Sequence, residues 1–496
     1  MRAALLFVVL SVVALGCDEM PESVLIDQKY PCSSNADCAE GFVCAVVAGQ
    51  VDAKLCQSAC QRSSDCADPE QVCNHEGACV PWRSPVCQVI EGPYRDDNVV
   101  FIGSIGPTSI IGYDEDQLAV AMAVEQVNEN GGLPNGAKLV MVGCDDGEDR
   151  EQAEAAARHL VHTIGVPAII GPSYSGIFMQ VAEQVTVPAG VLLISPSATS
   201  PFITDLQDNG LAWRTVASDV VQSEALGVLA SVLGCQKIAA LVKKDAYGDG
   251  LLGGVSTVLS TMVDDRSFLP FTYPEAELDA ERFVADAYAP GFQCVMLLGT
   301  AEAADLMLAW ESRAAQQGES PRYILSEGGK VQALFDALAS QPQIQSRVIG
   351  TDPALRNGSI FSAFSSRFVG QYQRQILAFG ANAYDAAYVV VLAMCAVAQG
   401  EPLSGAAIAQ AIGRLTSGEL VELRPENYAS ARARLANGES IDIEGTSGSL
   451  AFDLATGDTR SGLIAWGVSG SGSEMKAEQV GVFVPAPLGL GSWLLN

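Results

Sequence analysis

The chain has 496 residues, 49% of them hydrophobic, and a formal net charge of −30 at pH 7. Phosphate binding needs clustered Lys and Arg, and no such cluster is visible, so nucleic acid is excluded as a partner. The length suits two or three domains, and the apolar content is enough for a sizeable core.

The first residues, Met1-Arg2, are followed by an apolar run over 3–15 that is short for a bilayer span and ends in Gly16-Cys17. A charged start, a short apolar stretch and a small residue make an export signal over 1–16 rather than a helix of the fold. The cysteine at the cleavage position resembles a bacterial lipobox, which implies that Cys17 is acylated and anchored in a membrane. Beyond it no apolar run is long enough to span one; the greasiest, 389–397, reads as a buried helix.

A linker over 17–31 leads to a cysteine-rich head. Of the 14 cysteines, nine fall within 32–87, eight of them in two stretches that look like copies of each other. Cys32, Cys38, Cys44 and Cys56 match Cys60, Cys66, Cys73 and Cys79, each opening C-x5-C with an Asp before the second Cys. Zinc sites favour close C-x2-4-C pairs, often with His, and this stretch offers only His75 and one C-x3-C, Cys56 and Cys60. In an exported chain, disulfides are the better reading, two per copy, with connectivity left open. So small a module is stabilised largely by its bridges. It reads as a spacer off the membrane, with a protein-contact module as the alternative.

The remaining cysteines suggest two more bridges. Cys87 is odd within the head and Cys144 stands alone at a strand end, so Cys87–Cys144 completes the count. Cys235 and Cys294 each open a strand, and a bridge is reasonable if those strands are neighbours. Cys395, in an apolar helix, reads as a free core thiol.

From residue 98 short apolar runs alternate with helical patterns. Strands are expected at 99–103, 138–143, 168–171, 191–195, 238–242, 294–299 and 323–326. Helices are expected at 114–130, with Gly131-Gly132 as its stop, and at 148–163, 176–187, 222–233, 251–262 and 301–316. Helices at 360–377, 383–398 and 405–415 follow, then strands at 448–453 and 463–468. Such alternation indicates an α/β fold of parallel βαβ units, and the number of strands requires two doubly wound lobes.

Eight segments then carry a resemblance. They are Ile102-Gly-Ser-Ile-Gly-Pro107, Val124-Glu-Gln-Val-Asn-Glu-Asn-Gly-Gly132, Ala168-Ile-Ile-Gly-Pro-Ser-Tyr-Ser-Gly176 and Leu193-Ile-Ser-Pro-Ser-Ala-Thr199. Trp213-Arg-Thr215, Asp245-Ala-Tyr-Gly248, Ala383-Tyr-Asp-Ala-Ala387 and Gly445-Thr-Ser-Gly-Ser-Leu-Ala-Phe-Asp453 follow. In order and spacing the body, 97–485, resembles the type I periplasmic binding proteins of the branched-chain amino-acid (Leu/Ile/Val) family, also called the receptor family ligand-binding region. The resemblance implies two Rossmann-like lobes, about 97–215 with 350–440 and about 216–349 with 441–485. It also implies three crossings and a ligand held between the lobes.

Ligands of open α/β sheets gather beyond the carboxyl ends of strands, which points to loops 172–176 and 196–199. Ser175 and Gly176 open a helix whose free N–H groups suit a carboxylate. The resemblance adds Ser197 and Thr199 in a second binding loop, Glu327 as the partner of a ligand ammonium, and Tyr247 and Tyr113 as aromatics at the cleft edge. Each Ser or Thr has a plain alternative as a turn or cap residue. The sequence departs from the family at Thr300-Ala301-Glu302, where amino-acid binders carry an aromatic, so the side-chain pocket is expected to be larger or more polar.

Catalysis is not expected. No G-x-S-x-G elbow or Walker loop is present, and Gly445-Thr-Ser-Gly-Ser449 is a turn. His159 and His162 lack a third ligand for a metal, and no cofactor motif appears. The implied function is an extracytoplasmic solute-binding lipoprotein, in the periplasm or at the cell surface. It would hold an amino acid or related carboxylate and serve an ABC permease. A ligand-sensing or surface interaction protein without a transport role is the alternative.

Overall fold

The computed structural model describes residues 30–47, 50–110, 114–262, 266–274, 277–353, 358–376, 379–459, 462–484 and 490–495. Two sheets organise them. The first runs in the order Ala212–Arg214, Leu192–Ser195, Ala168–Ile170, Val99–Gly106, Lys138–Asp145 and Cys87–Glu91. All neighbours are parallel except the last strand, which lies antiparallel at the edge. Its central strands are apolar on both faces, as a sheet covered by helices on both sides requires.

The second sheet has eight strands. Ser267–Tyr273, Lys237–Lys243, Cys294–Leu298, Arg322–Leu325 and Val348–Asp352 are parallel. Leu463–Ser469, Lys476–Val484 and Ser492–Leu495 extend it antiparallel. The expected βαβ rhythm is therefore present in both sheets. Seven elements of the second unit lie outside the expected set: strands Ser267–Tyr273, Val348–Asp352, Lys476–Val484 and Ser492–Leu495, and helices Ala280–Ala287, Gln332–Leu338 and Pro342–Gln345. Pro270 masks the first of these, because proline belongs in a strand only at an edge, and this strand is one. The expected strand over 448–453 shrinks to Phe452–Asp453.

The chain passes between the two sheets three times, after Arg214, after Asp352 and after Thr459. The lobe exchange expected at 349/350 falls inside strand Val348–Asp352, which belongs wholly to the eight-stranded sheet. The stretch after residue 440 also stays with the first unit. Ile441 and Ile443 share its core, and Arg214 N–H donates to Gly457 O at 3.1 Å. That core is centred on helix Gly380–Ala396, every residue of which is buried and whose apolar side chains share a cluster with Ile102, Leu139, Ile170 and Leu192. Gly131 and Gly132 end helix Glu115–Glu129 with φ of 100° and 69°, the left-handed region that glycine enters at low cost.

The head forms two disulfide-bonded hairpins. In each copy the first cysteine bridges the third and the second bridges the fourth: Cys32–Cys44 and Cys38–Cys56, then Cys60–Cys73 and Cys66–Cys79. Cys87 bridges Cys144 across the sheet edge and Cys235 bridges Cys294, while Cys395 is a free, buried thiol. The head is not loosely tethered. Val72, Ala78, Val80 and Trp82 share a core with the helix that begins at Arg150 and continues through Ile164. Asn74 Nδ2 donates to Thr163 O at 2.9 Å, and His159 Nε2 meets Trp82 O at 2.8 Å.

Candidate functional site

The carboxyl ends of the two sheets face each other. Leu192–Ser195 delivers the loop that carries Ser197 and Thr199, and Arg322–Leu325 delivers Glu327. Across this gap Thr199 Oγ1 lies 3.5 Å from Glu327 Oε1, and Ser200 Oγ donates to Ala246 O at 2.7 Å. Both Thr199 and Glu327 are buried.

Arg214 holds the loop over 198–204 in shape. Its fully buried guanidinium donates to Ser200 O at 2.8 Å, Thr204 Oγ1 at 2.7 Å and Asp458 Oδ1 at 2.6 Å. Ser175 Oγ accepts Ser200 N–H at 3.1 Å, so its own O–H hydrogen remains available to an acceptor in the gap. Ser197 Oγ instead donates to Ser173 O at 3.0 Å and braces one loop against the other. Gly176 O accepts from Arg150 Nη1 at 3.2 Å.

Glu327 sits in a nest of polar side chains. Gln222 Nε2 donates to Glu327 Oε2 and also to Thr351 Oγ1, the latter at 2.8 Å. Tyr247 is buried, and its hydroxyl accepts Gly328 N–H at 3.3 Å. Burial raises the Glu327 carboxyl above its usual range, against the opposing hydrogen bonds of Gln222 and Tyr247.

Asp219 carries no functional mark in the sequence. It begins helix Asp219–Val232, where an acid after a Ser N-cap looks like ordinary first-turn chemistry. In the structure it is fully buried beside Glu327, its carboxylate oxygens lack a well-formed hydrogen bond among the described residues, and the donor that faces them is the Thr199 hydroxyl, on which Glu327 also draws. Gln222 Oε1 is likewise buried without a donor. Burial pushes Asp219 well above the usual carboxylate range, and the charge of Glu327 pushes it further. The site therefore gathers acceptors that await donors, the pattern an ammonium satisfies.

Contacts link Ser175, Thr199, Tyr247 and Glu327 around these strand ends through Ser200 and Gly328, Ser197 braces the loop beside them, and Gly176 is instead turned toward Arg150. Tyr113 and Cys17 lie outside the described residues. The two places where three cysteine sulfurs converge are the head disulfides themselves. No helix among the described residues is long and apolar enough to cross a membrane.

A family model described as periplasmic binding protein matches residues 88–426. Among curated proteins, the Leu-, Ile-, Val-, Thr- and Ala-binding protein of Pseudomonas aeruginosa is 30% identical over 270 residues, covering 53% of this chain and 69% of that protein. A leucine-binding protein of Thermotoga maritima superposes with a TM-score of 0.60 at 19% identity, over 77% of this chain and 98% of that one. A solute-binding protein of an ABC transporter from Rhodopseudomonas palustris, solved with 3,4-dihydroxybenzoic acid, gives 0.60 at 15% identity, over 77% and 96%. The fold, the facing strand ends and these matches agree: the chain belongs to the type I periplasmic binding proteins of the branched-chain amino-acid family, which are extracytoplasmic substrate-binding proteins and not enzymes.

Proposed function

We infer that the protein is an extracytoplasmic solute-binding lipoprotein that holds a small amino-acid-like ligand between its two lobes and delivers it to an ABC transporter. The buried pair Asp219 and Glu327 carries this reading, because their nearby cations, Arg214 and Lys330, are paired with Asp458 and Asp352, and two such carboxylates favour protonation or the arrival of a further cationic group. The Ser175 hydroxyl and the N–H groups at the start of its helix would take the ligand's carboxylate opposite them. The names of the relatives, which bind amino acids or an aromatic acid, support a zwitterion or related carboxylate. The Gly16-Cys17 signal supports the lipid anchor.

Thermal-shift measurements across the L-amino acids and small carboxylates test the reading. A hit should lose most of its shift in Glu327→Gln and in Ser175→Ala. Full affinity in both variants overturns the assignment. The second reading, a sensor or surface interaction protein, is favoured by the head, whose core is shared with the first lobe and so presents a fixed surface.

A further inference from the structure

The strand ends of the eight-stranded sheet carry a second charged group that the ammonium reading does not use. Lys243 closes strand Lys237–Lys243 and is 8% exposed. Cys294–Leu298 lies beside it, followed by Thr300, and Arg322–Leu325 comes next, followed by Glu327. Lys243 and Glu327 therefore border one floor two strand spacings apart, about 10 Å at the backbone.

A lysine ammonium has three donors. Lys243 Nζ donates to Thr300 Oγ1 at 3.2 Å and lies 3.7 Å from Asp245 Oδ2. It makes no other hydrogen bond among the described residues. From the opposite lobe it is faced by the ring of Tyr174, whose centroid is 5.8 Å away. The ammonium is nonetheless held firmly. Thr300 Oγ1 donates to Glu302 Oε2 at 2.7 Å, while Glu302 Oε1 accepts Thr300 N–H at 2.9 Å and the Tyr273 hydroxyl at 2.7 Å. Glu302 and Asp245 balance the lysine's charge, and donors on its ammonium remain unspent.

An aliphatic side chain pressed against those donors would strip their water and offer nothing in return. A carbonyl oxygen would complete them. Because two carboxylates already stand beside Lys243, a neutral carboxamide meets less repulsion than a second carboxylate. We propose that Lys243 reads the far end of the ligand and selects amino acids whose side chain ends in a carbonyl oxygen, glutamine first and glutamate second, over aliphatic ones. The proposal rests on the amino-acid reading of the site, with Asp219 and Glu327 taking the ammonium.

Calorimetry with L-glutamine, L-glutamate and L-leucine on the full chain tests it, using the wild type, Lys243→Met, Lys243→Arg and Glu327→Gln. The wild type should prefer glutamine to leucine by at least about tenfold, the cost of one unmet charged hydrogen bond. Lys243→Met should abolish that preference while lowering the melting temperature, because Asp245 and Glu302 lose their cation, and Lys243→Arg, which keeps charge and donors, should retain both. Leucine binding tightest to the wild type, or an unchanged ratio in Lys243→Met, overturns the proposal and leaves the ammonium reading standing. If Glu327→Gln binds as tightly as the wild type while Lys243→Met still changes the ratio, only the ammonium reading falls. If none of the three binds the wild type, both fall.

Discussion

The Thr199 hydroxyl meets Glu327 Oε1 at 3.5 Å, joining a loop that leaves the six-stranded sheet to a turn that leaves the eight-stranded one. Neither group could reach the other if either loop relaxed. The geometry of the site therefore depends on what fixes the loops, and Arg214 is the main brace.

Arg214→Met should cost about 3–5 kcal/mol in urea unfolding, because it leaves Asp458 and two loop carbonyls without their buried cation. Ligand affinity should fall alongside stability, since the loop carrying Thr199 loses its anchor. A stable variant with unchanged affinity would show that the loop holds its shape unaided.

The docked head makes a different claim on stability. Trp82 is 5% exposed in a core shared with the helix at Arg150. Trp82→Ala should therefore destabilise the whole first lobe by about 3–5 kcal/mol. A loss below about 1 kcal/mol in chemical denaturation, far short of a core truncation, would mean that the head is merely tethered.

Asp146 gives a pH signature. It is fully buried, one oxygen accepts Glu148 N–H at 3.0 Å, the other has no donor among the described residues, and burial pushes its pKa up to about 7. A carboxyl raised in the folded state contributes stability that is fully present below its unfolded pKa and is lost as pH rises through the folded value. Stability should thus decline from about pH 4 to beyond pH 7, by an amount on the order of 4 kcal/mol from this group. Asp146→Asn keeps the acceptor and removes the charge, so melting curves of the variant should be flatter across that window. A wild-type slope that survives in the variant would assign the effect elsewhere.

Much of this was legible in the chain. The parallel strands announced themselves as short apolar runs, and Cys235 and Cys294 lay beside strands that proved to be neighbours. The head connectivity was not legible, because four cysteines per copy allow three pairings until the hairpins fold. Strand Ser267–Tyr273 was hidden by Pro270, and Asp219 by its resemblance to a helix first-turn acid. What marks Asp219 as functional is burial without a well-formed hydrogen bond, a property of the assembled gap that no local pattern carries.

That same property yields the most specific expectation for binding. Without ligand, burial raises both Asp219 and Glu327, and the charge of Glu327 raises Asp219 further, so protons are retained at pH values where free carboxyls have lost them. A ligand ammonium favours the ionised forms and expels those protons. Affinity should therefore increase as pH rises, by up to about tenfold per pH unit for each proton released, and level off once both groups are ionised in the free protein. Calorimetry in two buffers of different ionisation enthalpy reads the release directly. Asp219→Asn should bind more weakly and release fewer protons than the wild type, since it keeps the shape and loses the titrating group. Proton uptake, or a release that is identical in Asp219→Asn, would remove Asp219 from the ammonium site and leave its orphaned oxygens to be explained by another ligand group.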